Sequence, residues 1–406
     1  MELTDVRNTA VIGSGVMGRG ISQLLAMAEY GVVLMDIRTE SLEGALRQVR
    51  WSLSKFVEKG KITQERAHEA LGRIKTTSSV KEAVENADLV IEAISEDIEL
   101  KKGVFKKIDS IAPRGTIIAT NTSTIPITIL GGATGRPHKV VGMHFSNPPV
   151  LMPLVEVTRG EGTHEETLEI ILDLSKKLGK EPIVVERDLW GFVLNRIFLP
   201  FLDEAAWIVF RGEGTIEAVD SAVKSEMELR MGPFETCDLV GIDIVNSFHR
   251  IARELAGTRW MEGYPFEPSP MVEDYVRRGW FGIKSGRGFY RYTKPGVYER
   301  ARTPSRVKEG VDTNRLIAPS VNEASWLVRN HVAPIESVDR IAKLGLGFPK
   351  GILEMADEIG LDVIVEVLKA SRKKYGKAYY EPDPLLLSHL ERGWIGKRSG
   401  RGFYEY

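Results

Sequence analysis

The chain has little that would place it outside a cell or in a bilayer. One cysteine, Cys237, stands among 406 residues, which excludes an intrachain disulfide framework and fits a reducing compartment; its thiol reads as an ordinary buried small side chain. No apolar run approaches the roughly 18 residues of a membrane-spanning helix, and the opening Met1-Glu-Leu-Thr-Asp-Val-Arg lacks the charged start and apolar stretch of a secretory leader. A cytoplasmic, soluble protein with no membrane partner is expected. Charge of one sign is also missing. With 55 basic and 56 acidic side chains the formal net charge is −1, so no nucleic-acid partner is expected, and Lys101-Lys102 and Lys106-Lys107 read as solvated helix faces. No metal site is called for.

What the chain does have appears almost at once. Thr9-Ala-Val-Ile-Gly13-Ser-Gly15-Val-Met-Gly18 is a short apolar run entering three glycines at Gly-x-Gly-x-x-Gly spacing, and a second run, Val32-Val-Leu-Met, delivers Asp36. In a dinucleotide grip the first glycine allows the strand-to-helix turn, the second lets backbone approach a pyrophosphate, and the third lets helix and strand pack closely. The free N–H groups at the start of the helix, about Val16 and Met17, would hold the phosphate. An acid about 20 residues further on accepts from a ribose 2′-hydroxyl, so Asp36 favours NAD over NADP; Arg38 pulls slightly the other way.

From residue 8 to about 185, apolar runs alternate with amphipathic stretches: Ala10–Ile12, Val32–Met35, Leu89–Ile94, Thr116–Ala119, Val140–Met143, Leu154–Val157 and Ile183–Val185. That alternation predicts an α/β, Rossmann-like domain with a mostly parallel sheet over residues 1–187. Leu42, Leu46, Val49, Leu53 and Phe56 recur at helical spacing, so residues 40–73 read as an inserted helical pair with a basic, exposed tip at Lys55–Lys61.

After Trp190 the pattern turns helical and then repeats. Asn195-Arg196, Pro200, Glu204-Ala205, Trp207, Ile216, Asp220, Asp238, Gly241 and Asp243 recur 119 residues further on, as Asn314-Arg315, Pro319, Glu323-Ala324, Trp326, Ile335, Asp339, Asp357, Gly360 and Asp362. Trp280-Phe-Gly-Ile-Lys-Ser-Gly-Arg-Gly-Phe-Tyr-Arg-Tyr292 returns as Trp394-Ile-Gly-Lys-Arg-Ser-Gly-Arg-Gly-Phe-Tyr-Glu-Tyr406. Two copies are too few for a solenoid, so they predict a duplicated all-α domain, 188–292 and 313–406, packed as an internal pseudo-dimer and joined by a polar linker, 293–312.

An alcohol oxidoreductase needs a group to take the hydroxyl proton, and histidine suits the task. Of seven histidines, His68, His164, His249, His331 and His389 lie in polar helical stretches and His138 in a Gly-Arg-Pro-His-Lys loop, so surface positions are expected for them. His144 differs: it closes the run Lys139-Val-Val-Gly-Met, and open α/β sheets bind ligands at the carboxyl ends of their strands. Twelve residues on, Glu156 sits in the apolar run Leu154-Val-Glu-Val, where a buried acid must be paired. Two strands joined at Asn147-Pro148-Pro149 could bring it to the imidazole and fix one tautomer.

Asn121-Thr-Ser-Thr, His144-Phe-Ser-Asn-Pro, Met152-Pro-Leu-Val-Glu156, Gly191-Phe-Val-Leu-Asn195-Arg and the ending Gly-Arg-Gly-Phe-Tyr together resemble the L-3-hydroxyacyl-CoA dehydrogenases over essentially the whole chain. The doubled C-terminal domain resembles that of multifunctional fatty-acid oxidation enzymes and of archaeal-type dehydrogenases fused to a crotonyl-CoA hydratase. The resemblance implies His144 as base for the 3-hydroxyl, Glu156 as its orienting partner, and Ser123 and Asn195 as donors to the reacting oxygen or thioester carbonyl. It implies an NAD site lined by Asp36, Glu92, Ala93, Lys101, Asn121 and Ser123, and coenzyme A contacts at Lys55, Lys61 and Asn147. It further implies an acyl-CoA substrate, a place in fatty-acid β-oxidation, an enoyl-CoA hydratase as partner or fused domain, and a monomer or weak homodimer, since the second repeat would fill the surface on which single-repeat relatives dimerise. That repeat has no glycine loop or His-Glu pair and reads as structural.

The chain departs from the family at Ser146, usually bulky, at Pro153, where lysine is common, and at Trp190, where proline precedes Gly-Phe; all three are expected beside the pocket and bear on acyl-chain length. Two other readings stand. One is a dehydrogenase of a free hydroxy acid or sugar acid on the same scaffold, which would need no coenzyme A patch. The other is a non-catalytic NAD-binding sensor, which would have no reason to keep costly buried polar groups.

Overall fold

In a computed structural model the described residues are 2–265, 267–297 and 310–406. They form two compact units, Met1–Asp188 and Leu189–Tyr406. Most of the expected linker, residues 298–309, lies outside the described residues.

The first unit is built on one eight-stranded sheet: β1 (Asn8–Ile12), β2 (Gly31–Met35), β3 (Ile74–Thr77), β4 (Leu89–Glu92), β5 (Ile117–Thr120), β6 (Val140–Phe145), β7 (Leu154–Arg159) and β8 (Glu181–Val185). The order is β3-β2-β1-β4-β5-β6-β7-β8, parallel throughout except between β6 and β7. Strand order reverses between β1 and β4, the switch point where such sheets open a crevice. The helices are α1 (Val16–Met27), α2 (Thr39–Glu58), α3 (Gln64–Gly72), α4 (Val80–Val84), α5 (Ile98–Ile111), α6 (Ile127–Gly131) and α7 (Glu165–Lys177). The expected helical insert is the α2–α3 pair, whose Leu42, Ala45, Val49 and Leu53 are buried. β3 was not foreseen: it is a short edge strand with Lys75 and Thr76 exposed, so it carries no apolar run.

The β6–β7 hairpin has two unlike faces. Val141, Met143, Phe145, Val155 and Val157 join Ile21, Leu25, Leu34, Leu168 and Ile171 in the main core, each worth roughly 1.5–3 kcal/mol of burial. Side chains alternate along a strand, so Gly142, His144, Leu154 and Glu156 share the opposite face. The hydrophobic positions therefore fix where the histidine and glutamate point.

The second unit comprises α8 (Leu194–Phe210), α9 (Ile216–Glu226), α10 (Pro233–Val240), α11 (Ile242–Glu254), α12 (Pro270–Arg277), α13 (Thr313–Arg329), α14 (Ile335–Leu346), α15 (Ile352–Ile359), α16 (Leu361–Tyr375) and α17 (Pro384–Glu391). α8 packs on α13, and the contacts are reciprocal. Arg196 Nε of the first repeat meets Glu323 Oε1 of the second at 2.5 Å, and Arg315 Nε of the second meets Glu204 Oε1 of the first at 2.8 Å. In sequence Arg196 is equivalent to Arg315 and Glu204 to Glu323, so the repeats touch as the halves of an isologous dimer do.

The repeated endings are straps. Asp238 accepts from Phe289 N, Tyr290 N and the Tyr292 hydroxyl, and Asp357 accepts from Phe403 N, Tyr404 N and the Tyr406 hydroxyl. A Cβ at Gly288 or Gly402 would lie 2.0 Å from the aspartate oxygen, which explains the glycine before each Phe-Tyr. Cys237 is fully buried and its thiol is pushed up by burial. Two expectations fail. His249 and His389 are buried, the first 3.3 Å from Asp203 and the second against Trp394 and Phe403, because their helices turn them inward. Among the described residues no helix is long and apolar enough to cross a membrane, and no group of three His, Cys, Asp or Glu side chains could hold a metal ion.

Candidate active site

The glycine turn follows β1. Gly13 adopts φ 103° and donates to Met35 O at 2.8 Å; a Cβ there would lie 2.6 Å from Ala93 O. Gly18 is required by the turn itself, since its Cβ would lie 1.8 Å from Gly13 O, whereas a Cβ at Gly15 meets nothing within 4 Å. Gly15 caps α1, and the first amides of that helix, Val16 and Met17, have no partner within the helix. The open space over Gly15 is the cradle that a pyrophosphate would fill.

Asp36, beyond β2, accepts from Ser14 N at 3.0 Å, Ser14 Oγ at 2.8 Å and Arg38 N at 3.1 Å. Burial raises its pKa, but these bonds and the Arg38 charge outweigh it and hold the carboxyl below the ordinary carboxylate value. It is an anion with acceptor capacity left for a ribose hydroxyl.

Glu92 and Lys101, expected to line the cofactor site, meet each other, and Lys101 is buried rather than part of the solvated helix face that Lys101-Lys102 suggested. Their side chains are 0% and 1% exposed, with Lys101 Nζ 2.6 Å from Glu92 Oε1, and Thr120 Oγ1 donates to Glu92 Oε2 at 2.6 Å. Lys101 also lies 3.4 Å from Glu96, a residue that sequence reasoning missed. Glu96 Oε1 accepts from Thr122 Oγ1, Ser123 N and Thr124 N at 2.6, 2.8 and 2.9 Å. Burial opposes its charge, yet Lys101 and these donors hold the carboxyl below its usual pKa. The network thus shapes the loop that presents Ser123. Nothing in the sequence marks Glu96 except its place between β4 and α5.

His144 and Glu156 are direct cross-strand partners in the β6–β7 ladder. His144 Nδ1 lies 2.7 Å from Glu156 Oε2, with the residues 6% and 0% exposed. Asn121 Oδ1 accepts from Phe145 N at 3.0 Å, tying the end of β5 to the end of β6. A carboxylate on Nδ1 selects the tautomer that leaves Nε2 able to take a proton. Asn195 lies in the second unit, in the first turn of α8, and is 6% exposed.

Lys55 and Lys61 line one cleft of about 350 Å³ in the first unit, together with Arg19, Trp51, Lys59 and Leu151. Lys55 pairs with Glu58 at 2.7 Å, and Lys61 Nζ lies 5.3 Å from the centre of the Phe56 ring. Trp51, missed from the sequence, is 59% exposed; its position outside the buried stripe of α2 was the available signal. Pro148 and Pro149 form another wall, next to the exposed Asn147. Of the three departures, Ser146 is buried beside the site, and Pro153 precedes β7, where Lys180 Nζ donates to the neighbouring Met152 carbonyl at 2.9 Å. Trp190 is fully buried in the second unit, its ring against that of Tyr264.

Sheet order, glycine turn, acid-ended second strand and paired histidine together define an NAD-dependent dehydrogenase. Residues 8–189 match the 3-hydroxyacyl-CoA dehydrogenase, NAD binding domain, and residues 191–292 and 310–406 match the 3-hydroxyacyl-CoA dehydrogenase, C-terminal domain. The chain belongs to the 3-hydroxyacyl-CoA dehydrogenase family. It is 40% identical over 288 residues to a probable 3-hydroxybutyryl-CoA dehydrogenase of Bacillus subtilis, covering 71% of this chain and 98% of that one. The crystal structure of 3-hydroxybutyryl-CoA dehydrogenase from Escherichia coli K12 superposes with a TM-score of 0.80 at 27% identity, over 96% of this chain and 99% of the other. That of (S)-3-hydroxybutyryl-CoA dehydrogenase from Ralstonia eutropha does so at 0.63 and 36%, over 71% and 100%.

Proposed function

We propose that the protein interconverts short-chain (S)-3-hydroxyacyl-CoA, such as 3-hydroxybutyryl-CoA, and the 3-oxoacyl-CoA, with His144 as the proton acceptor. The observation that carries this is the buried 2.7 Å contact of His144 with Glu156 at the carboxyl end of β6. NAD held at the glycine turn would take the hydride from C3. Gly15, Val16 and Met17 bind the pyrophosphate through backbone N–H groups, Asp36 accepts from the ribose, and Asn121, Ala93 and the Glu92–Lys101 pair hold the surrounding loops in place. His144 Nε2 removes the 3-hydroxyl proton as C3 is oxidised, and Glu156 stabilises the imidazolium that forms. In the reverse direction the same proton returns to the oxygen. Ser123 and Asn195 bind the substrate's oxygens.

The acyl-CoA reading draws on the cleft beside the site. Lys55, Lys61 and Arg19 offer cations to the phosphates of coenzyme A, Trp51 offers a face to its adenine, and Asn147 precedes Pro148 at the cleft wall. The same reading divides the chain into a cofactor domain, 1–187, and two copies of the all-α domain, 188–292 and 313–406, the second structural. A free hydroxy acid would leave this cleft without a use.

The test is NADH absorbance at neutral pH with acetoacetyl-CoA against free acetoacetate, in the wild type and in His144→Ala. The expected result is oxidation of NADH by the thioester alone, reduced roughly 10²–10⁴-fold by the substitution. Turnover of free acetoacetate at a similar rate would sink the acyl-CoA reading. NADH binding without turnover of either would favour a sensor.

A further inference from the structure

Ser146 completes the row Gly142, His144, Ser146 on the face of β6 turned away from the core. Its backbone amide donates to Leu154 O at 3.3 Å, so the hairpin register still holds there and its side chain emerges on the same face as the imidazole. The residue is 4% exposed, and its hydroxyl has no hydrogen-bond partner. A buried hydroxyl left in that state is a standing cost unless a ligand supplies the partner.

A second hydroxyl on this face, Thr158 Oγ1, is also without a partner. It cannot serve a ligand. Thr158 stands opposite Gly142, where even an added Cβ would lie 2.9 Å from Ile127 and 3.0 Å from Thr158 itself. Ser146 is at the other end of the row, the rim, where the chain continues into the exposed Asn147 and Pro148.

Spacing then restricts what could bind it. Residues two apart on one strand lie roughly 6.6 Å apart. A 3-hydroxyacyl thioester carries two oxygens on a three-carbon span, the carbinol oxygen and the thioester carbonyl oxygen. With a hydrogen bond of roughly 2.8 Å at each end, that span bridges the imidazole and the serine hydroxyl. We infer that Ser146 donates to the thioester carbonyl oxygen and so anchors C1 of the acyl chain while His144 works at C3. This rests on the dehydrogenase reading and deepens it: Ser146 selects substrates with an acceptor two carbons from the carbinol, which makes it a positioning residue and no part of the proton transfer.

The experiment compares kcat/KM for 3-hydroxybutyryl-CoA with that for its thioether analogue, in which a methylene replaces the thioester carbonyl, using the wild type, Ser146→Ala and Ser146→Thr. Ser146→Ala should lose about tenfold with the thioester and be unchanged with the thioether, while Ser146→Thr, which keeps a hydroxyl on a β-strand, retains the wild-type ratio. NADH affinity should be the same in all three. An unchanged thioester-to-thioether ratio in Ser146→Ala, or an equal loss with both compounds, would overturn the assignment and leave a packing role. A wild type that oxidises neither compound would overturn the dehydrogenase reading, and this assignment with it.

Discussion

Gly15 and Gly18 lie three residues apart on one turn, yet an added methyl meets open space at the first and the Gly13 carbonyl at 1.8 Å at the second. The two positions therefore answer to different constraints. Gly15→Ala should leave the melting temperature within a degree or two and weaken NADH binding tenfold or more, whereas Gly18→Ala should lower the melting temperature by several degrees before any ligand is added; calorimetry and NADH fluorescence titration check both. At the same scale, Glu156→Gln keeps the shape of the hydrogen bond to His144 but removes the charge that would stabilise an imidazolium in the proposed mechanism. A fall in kcat of roughly 10²-fold, inside the range of acid–base catalysis, is expected with NADH affinity unchanged; a kcat within twofold of wild type would deny Glu156 its role. The histidine and its partner were legible in the sequence because an acid in an apolar strand has to be paired. Glu96 was not, because what distinguishes it is four donors converging from the Thr122–Thr124 loop, and convergence in space leaves no mark on a single segment.

At the scale of elements, apolar periodicity marked β1, β2 and the helices of the insert, since each buries one face. β3 escaped because an edge strand of four residues with one buried position has no periodic signal. The polarity of β7 against β6 was half-visible, through the proline turn that joins them. The insert also carries a functional expectation. Lys61 Nζ is drawn over the Phe56 ring in the cleft that Trp51 lines, and no ion pair of Lys61 is seen among the described residues, so reversing its charge should act on the ligand more than on the fold. Lys61→Glu should raise KM for acetoacetyl-CoA about tenfold at low ionic strength, with the effect shrinking in 0.5 M salt as screening sets in. KM for the truncated acetoacetyl-N-acetylcysteamine thioester should not move; a parallel rise for the truncated compound would mean that Lys61 does not meet the nucleotide end.

For the whole second unit, two reciprocal ion contacts join the first repeat to the second. Arg196 is fully buried and stacks 4.4 Å from the Trp326 ring, so its charge has Glu323 as principal counterpart. Burial pushes the Glu323 carboxyl up to about 7 in spite of Arg196. Because that folded value exceeds the unfolded one, the folded chain holds more protons between pH 4.5 and 7, and this group's contribution to stability falls as pH rises through that window. At pH 8 Arg196→Met leaves a buried carboxylate without its cation, a loss of about 3–5 kcal/mol, whereas at pH 6, below that value, Glu323 already holds its proton in most folded molecules and less is lost. Urea denaturation of the full chain should therefore show a larger deficit for Arg196→Met at pH 8 than at pH 6. Arg196→Met combined with Glu323→Leu removes both charges from the seam between α8 and α13 and should recover most of the stability at either pH. A deficit in the single variant that is equal at the two pH values, and that the double variant does not recover, would show that the loss comes from the packing of Arg196 between the two helices and not from the charge of Glu323.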